Sequence, residues 1–320
     1  MLDRPDFEKK QIIIFIPAEG DKMSFRNDNL LIADREGKIK TQVTCYRIFL
    51  IFIVGDTTIT TGLLSRSVKF GFSFCFMNRN MKTYKFIGSR MEGNTILRRN
   101  QYNYDSKELA QKLIWNKISN QRRALAATRQ RNELFTEALE KLDTYKNQLE
   151  SNQYERSSLM GIEGSASRVY FPQMFNNVSW KGRRPRIKAD FVNATLDIGY
   201  TILFNIIDSL INVYGFDEYQ GILHTCFYMR KSLVCDLVEP FRPIIDYAVR
   251  KAINLNQIKE GDFKVLNKQY VLEWKKSGEY TKVFLTEIMK RKNDIFVYIR
   301  DYYRAFMKKK DPEEFPVFNF

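Results

Sequence analysis

The feature that most constrains the fold of this chain is a change of hydrophobic period along its length. Up to about Gly88, short runs rich in Ile, Val, Phe and Thr, such as 11–16 and 46–54, alternate with polar or glycine-containing breaks, as β-strands do. After a polar stretch at 91–105, apolar residues recur at the helical spacing. This pattern predicts an α+β fold, with a small β-rich amino-terminal domain followed by a larger all-α domain.

The same change of pattern predicts the domain boundaries. Residues 1–90 are expected to form the β-rich domain, 91–105 a linker, 106–307 the helical domain and 308–320 a carboxyl-terminal tail. Ser106 is typical of a helix start, because its hydroxyl can accept a hydrogen bond from a backbone amide of the first turn. A chain of 320 residues can bury two separate cores.

The segment from Ser151 to Asp190 interrupts the helical pattern, since several residues that break or loosen helices fall within it. We predict loop and short helix here, the kind of segment in which functional residues are common. These residues are Gly161, Gly164, Pro172, Gly182 and Pro185.

Charge points to the class of ligand. The chain has 52 Lys and Arg residues against 37 Asp and Glu, a formal net charge of +15. Such an excess favours polyanions, through phosphate contacts and release of counterions. Nucleic acid is therefore the expected partner.

Cysteine usage and hydropathy predict the compartment. The four cysteines show no CxxC spacing, and the amino terminus lacks the residue succession of a secretory signal. Cys226 and Cys235 lie close to the only histidine, His224, and raise a zinc site as an alternative, but they match no paired zinc motif. The longest apolar runs, 12–16 and 48–54, are far shorter than the roughly 20 residues that cross a bilayer. We expect a cytoplasmic protein with no membrane partner.

The only histidine and two acidic residues that follow it raise the question of a metal. His224 is followed by Asp236 and Glu239, and a separation of three on a helix puts two carboxylates on one face. Two acidic groups so close are more stable with a cation or basic group between them. The pattern leaves two alternatives open: a salt bridge to Arg230 or Arg242, or a site for Mg²⁺ or Mn²⁺. A lone histidine is more often structural than a ligand.

A further carboxylate, Glu163, is bracketed by Gly161 and Gly164 at the entry to a predicted helix. Glycine lets backbone and ligand approach closely, because it has no side chain. This pattern alone is a weak signal of function.

Three ordered blocks carry a resemblance to a known family. They are GIEGSASRVYF at 161–171, Leu223-His224, and DLVEPFRP at 236–243, with Asn193 and Tyr200 on the intervening helix. This combination resembles the CRISPR-associated spacer integrase family, Cas protein number one. The likeness covers most of 94–254.

The resemblance implies the site and its chemistry. Glu163, His224 and Glu239 match the family's metal ligands, with Mg²⁺ or Mn²⁺ as the cofactor, and Asp236 matches an acidic neighbour that supports the catalytic site. In such an enzyme a DNA 3′ hydroxyl attacks a phosphodiester at the edge of a CRISPR repeat and joins captured foreign DNA to it. Nuclease activity is expected from the same centre, because water competes as nucleophile.

DNA contacts are expected from basic residues near these blocks. Residues 181–188 hold five cations in eight positions, and the bland alternative is a solvated loop. The residues that we predict to contact DNA are Arg183, Arg184, Arg186, Lys188, Arg230 and Arg242.

The resemblance also implies a prokaryotic source and several partners. These are double-stranded DNA (protospacer and CRISPR repeat), a second copy of the chain in a homodimer, and a small ferredoxin-fold companion, Cas protein number two. Two alternatives stay open. One is a non-catalytic nucleic-acid-binding scaffold, and the other is a casposon-type transposon integrase, which has the same site.

Overall fold

The computed structural model describes residues 3–88, 93–129 and 132–320. The chain divides into two compact units, residues 1–92 and 93–320. The α+β fold class predicted from the sequence is confirmed, with strands concentrated in the first unit and helices in the second.

The first unit contains two sheets. One is four-stranded with the order β1-β5-β6-β7, and the other is three-stranded with the order β2-β3-β4. The elements are α1 (Arg4–Glu8), β1 (Gln11–Phe15), β2 (Lys22–Arg26), β3 (Asn29–Ala33), β4 (Ile39–Thr44), β5 (Ile48–Val54), α2 (Thr61–Phe70), β6 (Ser73–Met77) and β7 (Thr83–Ile87).

Strand β5 forms the centre of the first unit. It pairs in parallel with both β1 and β6, so that Phe52 lies opposite Ile14 and Cys75. All seven residues of β5 are buried. A strand between two parallel neighbours is covered on both faces, which explains why its sequence is a continuous apolar run without alternation.

The second unit is mostly helical. Its helices are α3 (Thr95–Tyr102), α4 (Lys107–Ala126), α5 (Glu133–Ser151), α6 (Arg156–Met174), α7 (Phe191–Tyr214), α8 (Ser232–Val238), α9 (Arg242–Asn254), α10 (Ser277–Lys290) and α11 (Lys292–Met307). A short 3₁₀ helix, Glu239–Phe241, joins α8 to α9. The unit departs from the predicted all-α architecture in one place, since β8 (Phe263–Leu266) and β9 (Gln269–Leu272) form a hairpin.

Helix α4 begins where the sequence predicts. The Ser106 hydroxyl accepts a hydrogen bond from the Leu109 amide at 3.1 Å, which satisfies a backbone donor of the first turn. The predicted cap is confirmed. It could be predicted because it depends only on residues three positions apart.

Of the segment 91–105, predicted as a linker, residues 91–92 lie outside the described residues, and residues 93–105 contain helix α3 and belong to the second unit. Its polar side chains, which suggested exposure, make hydrogen bonds instead. Asn94 donates to the Tyr214 carbonyl at 3.0 Å, and Gln101 to the Asp217 carbonyl at 2.8 Å. The composition of a docked polar helix resembles that of a linker, so the sequence alone could not separate them.

The last residues, 308–320, also differ from the predicted tail. Phe315 and Phe318 are buried, and the Phe318 carbonyl accepts hydrogen bonds from Asn116 at 2.7 Å and Asn120 at 3.0 Å. This segment therefore fixes α4.

Helix α7 is the most apolar element of the second unit. By length and composition it could cross a bilayer, yet 83% of its most apolar window is buried inside the fold. It packs as a core helix, in contact with α8, α9 and α11.

Candidate active site

Glu163 lies within helix α6, whereas the sequence predicts loop and short helix for this segment. The helix runs unbroken from Arg156 to Met174. Each glycine lowers helix stability by about 1 kcal/mol, but burial of the apolar face compensates for this loss. The buried residues of α6 are Leu159, Ala166, Tyr170, Phe171 and Met174.

The surface of α6 around Glu163 is open. A Cβ atom added to Gly161 or Gly164 would meet no atom within 4 Å in the described part of the chain. Neither glycine is required by close packing or by a left-handed backbone. The two positions therefore leave free space beside the carboxylate.

A lysine that sequence reasoning missed joins Glu163 to Glu239. The Lys117 ammonium, on α4, forms an ion pair with Glu163 and lies 2.6 Å from Oε2 of Glu239. The Lys117 side chain is only 9% exposed. One signal was present in the sequence: Lys117 follows Leu113 and Ile114 by four and three residues, so it lies on the buried face of an amphipathic helix.

Glu239 has a second cationic neighbour. Nε of Arg242 donates to its Oε1 at 2.9 Å, so the salt bridge that the sequence offered as an alternative is present. Burial alone would raise the pKa of Glu239, but the charges of Arg242 and Lys117 lower it to about 2. The carboxylate is ionised at any physiological pH. Arg230 instead donates to the Thr225 carbonyl and to Ser232.

His224 and Asp236 form a second pair. Oδ1 of Asp236 lies 2.6 Å from Nδ1 of the imidazole and accepts from the His224 amide at 3.0 Å. Its Oδ2 accepts from the amides of Ile222 and Leu223 at 2.6 and 2.9 Å. A ring that uses Nδ1 in this way has Nε2 left for another ligand.

Gly221 allows Asp236 this close approach. A Cβ atom at Gly221 would lie 2.8 Å from Oδ2 of Asp236 and 2.6 Å from the His224 carbonyl oxygen. Any side chain would therefore displace the loop that carries His224.

The structure thus brings the predicted residues together in two pairs, Glu163 with Glu239 through Lys117, and His224 with Asp236. In residues 3–88, 93–129 and 132–320, no group of three or more His, Cys, Asp or Glu side chains is arranged so that it could hold a metal ion. Lys117 occupies the position between the carboxylates where a cation is favoured.

The predicted DNA-contact residues fall into two groups. Arg184 and Arg186 are exposed on the basic loop 181–188. Arg183 is instead paired with Asp197 at 2.7 Å, and Arg242 with Glu239. Arg186 and Lys188 have φ angles of 67° and 51°, a region that side-chain-bearing residues rarely adopt. Such strained backbone is common where a loop contacts a ligand.

Comparison with known proteins identifies the family. The family model for CRISPR associated protein Cas1 matches residues 14–286. A CRISPR-associated endonuclease Cas1 from Thermodesulfovibrio yellowstonii is 30% identical over 274 residues, which is 82% of this chain and 81% of that protein.

Solved structures share the fold. A chain of a Cas6-RT-Cas1–Cas2 complex superposes with a TM-score of 0.79 at 20% identity, over 97% of this chain and 36% of that chain. A casposase bound to integration product gives a TM-score of 0.78 at 19% identity, over 94% of this chain and 92% of that chain. With the family model covering most of the sequence, the chain belongs to the CRISPR-associated Cas1 family.

Proposed function

We propose that this protein is a metal-dependent DNA integrase of CRISPR adaptation with nuclease side activity. It would insert captured foreign DNA at a CRISPR repeat, by attack of a 3′ hydroxyl on a phosphodiester bond. One observation carries the proposal: two carboxylates from distant parts of the chain, the partly exposed Glu163 and the buried Glu239, converge on a single cationic position. Membership of the Cas1 family supports it.

The chemistry of the donors suits a hard divalent cation, while in the described residues the Lys117 ammonium lies between the two carboxylates. Glu163 and Glu239 would supply carboxylate oxygens and His224 its Nε2, a combination that suits Mg²⁺ and tolerates Mn²⁺. The bound ion would polarise a phosphoryl oxygen and stabilise the charge that develops on it. Lys117 has the role of a temporary substitute, since its single charge keeps the two carboxylates together until it turns away.

The other residues of the site would orient these ligands. Asp236 fixes the imidazole through Nδ1 and holds three successive backbone amides. Arg242 keeps one oxygen of Glu239 in place. Such supporting contacts set the direction of a ligand before the ion binds, which raises its affinity.

DNA would approach over the open side of α6. Gly161 and Gly164 leave space beside Glu163, and the exposed Arg184 and Arg186 of the loop 181–188 would contact phosphates. Of the two similar structures named above, one is a complex that includes Cas2 and the other is bound to an integration product. We therefore propose a homodimer that assembles with a small Cas2-type companion on double-stranded DNA.

A non-catalytic scaffold remains the second candidate. It is favoured by Lys117, which already neutralises the carboxylates as a purely structural cluster would require. The fold similarity to a casposase supports a third candidate, a casposon-type transposon integrase.

The test uses three variants, Glu163→Ala, His224→Ala and Glu239→Ala, with Glu279→Ala as control because Glu279 is exposed and pairs with Lys276 on the surface. Joining of a short duplex to a repeat-containing plasmid is measured with Mg²⁺, with Mn²⁺ and with EDTA. We expect loss of joining in the three variants and in EDTA, but not in the control.

Three outcomes would separate the candidates. Undiminished joining in all three folded variants would exclude this catalytic site, and absence of joining in the wild-type protein, with DNA binding retained, would favour the scaffold. Equal joining to plasmids with and without a repeat, when the donor carries transposon ends, would favour the casposon-type enzyme.

A further inference from the structure

A buried polar cluster lies between α6, α7 and α9. The Tyr170 hydroxyl donates to Oδ2 of Asp246 at 3.0 Å, and the Tyr200 hydroxyl donates to Oδ1 of the same carboxylate. All three residues are buried. Burial raises the pKa of both phenols well above the usual value, so each keeps its proton and acts as the donor.

The ring of Tyr200 also contacts two guanidinium groups. That of Arg242 lies over the ring with its carbon 4.7 Å from the centroid, and that of Arg183 at 5.3 Å. Both distances are within the range of a cation–π attraction, which is stronger when the partners are shielded from water.

The two arginines belong to different parts of the molecule. Arg242 donates to Glu239, one of the proposed metal ligands. Arg183 belongs to the basic loop 181–188 and is bound to α7 through Asn193 at 2.9 Å and Asp197 at 2.7 Å. The Tyr200 ring thus contacts both Arg242, which pairs with the proposed metal ligand Glu239, and Arg183, which belongs to the loop.

The loop is bound to α7 at its base by further contacts with Asn193. Oδ1 of Asn193 accepts from the Arg184 amide at 2.8 Å, and its Nδ2 donates to the Gly182 carbonyl at 3.1 Å. Asn193 is fully buried. Movement of Arg183 relative to α7 would therefore move the adjacent exposed residue, Arg184.

We propose that Tyr200 is a positioning residue, whose aromatic face holds Arg183 and Arg242 together and so sets the DNA-binding loop relative to the metal-binding carboxylate. The inference rests on the proposed function and deepens it. The hydroxyl has a separate task, which is to fix the plane of the ring through Asp246. The attraction to Arg183 and Arg242 comes from the aromatic ring and does not require the hydroxyl.

This division of tasks predicts different effects of two substitutions. Tyr200→Phe keeps the ring, whereas Tyr200→Leu keeps an apolar side chain and removes the aromatic face. We expect Tyr200→Leu to weaken Mn²⁺ binding about tenfold, since both cation–π contacts are lost. Binding of a duplex in EDTA should weaken as well, because Arg183 keeps its bonds to Asn193 and Asp197 but loses the contact with the ring that orients it. Tyr200→Phe should recover most of both affinities.

Mn²⁺ affinity is measured by titration calorimetry on the protein without DNA, and duplex affinity by fluorescence anisotropy. The matched control is Tyr280→Leu on helix α10. Tyr280 is also a buried tyrosine, and its hydroxyl donates to the carboxylate of Asp262 at 3.0 Å. The control should lower the melting temperature and leave both affinities unchanged.

A series of fluorinated phenylalanines at position 200 covers the case in which Tyr200→Leu does not fold. Fluorine withdraws the negative charge of the aromatic face with little change of shape. Mn²⁺ affinity should fall stepwise from phenylalanine through 4-fluoro- to 3,4,5-trifluorophenylalanine. A flat series, or unchanged affinities in folded Tyr200→Leu, would overturn the inference alone. If Glu239→Ala binds Mn²⁺ as tightly as the wild type, the proposed function fails, and the inference with it.

Discussion

Nζ of Lys117 lies 2.6 Å from Oε2 of Glu239, and the same ammonium pairs with Glu163. With Arg242 on the other oxygen of Glu239, the cluster contains two negative and two positive charges and is neutral. Burial lowers the pKa of Lys117, but the two carboxylates outweigh it and the pKa lies above its usual value. Lys117 is therefore charged, and the neutrality of the cluster depends on its positive charge.

Replacement of Lys117 should make the protein's stability depend on metal. Lys117→Met leaves Glu163 and the buried Glu239 without their shared cation, and loss of one partner from a buried pair such as Lys117–Glu239 costs about 3 to 5 kcal/mol. We expect the melting temperature to fall in EDTA and to recover in Mn²⁺, with Mn²⁺ bound more tightly than by the wild type. Differential scanning fluorimetry and calorimetry measure the two effects.

The control for this variant is Lys112→Met on the same helix. Lys112 donates to backbone carbonyls, at 3.2 Å for that of Pro312, so its loss should not be compensated by an ion. Equal melting temperatures of Lys117→Met in EDTA and Mn²⁺ would count against the metal site.

Asp236→Asn should weaken both the loop and its ligand. The carboxylate accepts four hydrogen bonds, and an amide would point N–H groups at some of those donors. We expect the free energy of unfolding to fall by about 3 kcal/mol. Mn²⁺ affinity should fall about 10- to 100-fold, because the His224 ring is no longer fixed.

Urea unfolding and calorimetry measure these two quantities for Asp236→Asn. Asp217→Asn is a suitable control, since Asp217 accepts from Tyr219 and Tyr102 at the surface. A purely structural role for Asp236 would appear as lower stability with unchanged Mn²⁺ affinity.

Asp246 should give the protein a measurable pH dependence of stability. Burial raises its pKa from 3.8 to about 6, although both tyrosine hydroxyls lower it. Between these two values the folded protein holds a proton that the unfolded chain has lost, so stability falls as pH rises from about 4 to 6. The contribution is at most about 3 kcal/mol.

The variant Asp246→Asn cannot titrate at this position. Its stability relative to the wild type should therefore become more favourable as the pH is raised through the same window. Urea unfolding at about pH 4, 5, 6 and 7 provides the comparison. Parallel curves for the two proteins would show that Asp246 does not carry the effect.

Phe318→Ala should destabilise the second unit. The Phe318 ring is buried, 4.6 Å from that of Phe241, and removal of a buried phenylalanine costs about 3 to 5 kcal/mol. Val317→Ala, at a position that is 37% exposed, should change the free energy of unfolding by much less. Thermal unfolding of the two variants gives the difference. Similar values would mean that the last residues do not fix α4.

Local patterns could be predicted from the sequence, and long-range contacts could not. Ser106 caps α4 because the partner amide is three residues away, and the burial of β5 follows from its apolar run. The helix α6 could not be predicted in full, because Gly161 and Gly164 have low helix propensity. Tertiary packing of its apolar face stabilises the helix despite them.

The site shows the same limit. Glu163 and Glu239 were selected by their sequence blocks, but Lys117 meets them across 46 and 122 positions of the chain. A lysine on the apolar face of a helix indicates that its side chain is buried, but the sequence does not identify the residues with which it pairs. The fixed C-terminal segment was missed for the same reason, since Asn116 and Phe318 are 202 positions apart.

The bare stretch of α6 around Glu163 bears on how the protein can be altered. Alanine at Gly161 or Gly164 has room to fit and would strengthen the helix by about 1 kcal/mol. Under the proposed function DNA approaches over this side of α6, so screens that select for heat resistance or expression would favour changes that also narrow this approach. In this family member, thermal robustness and activity are expected to trade against each other at these two glycines.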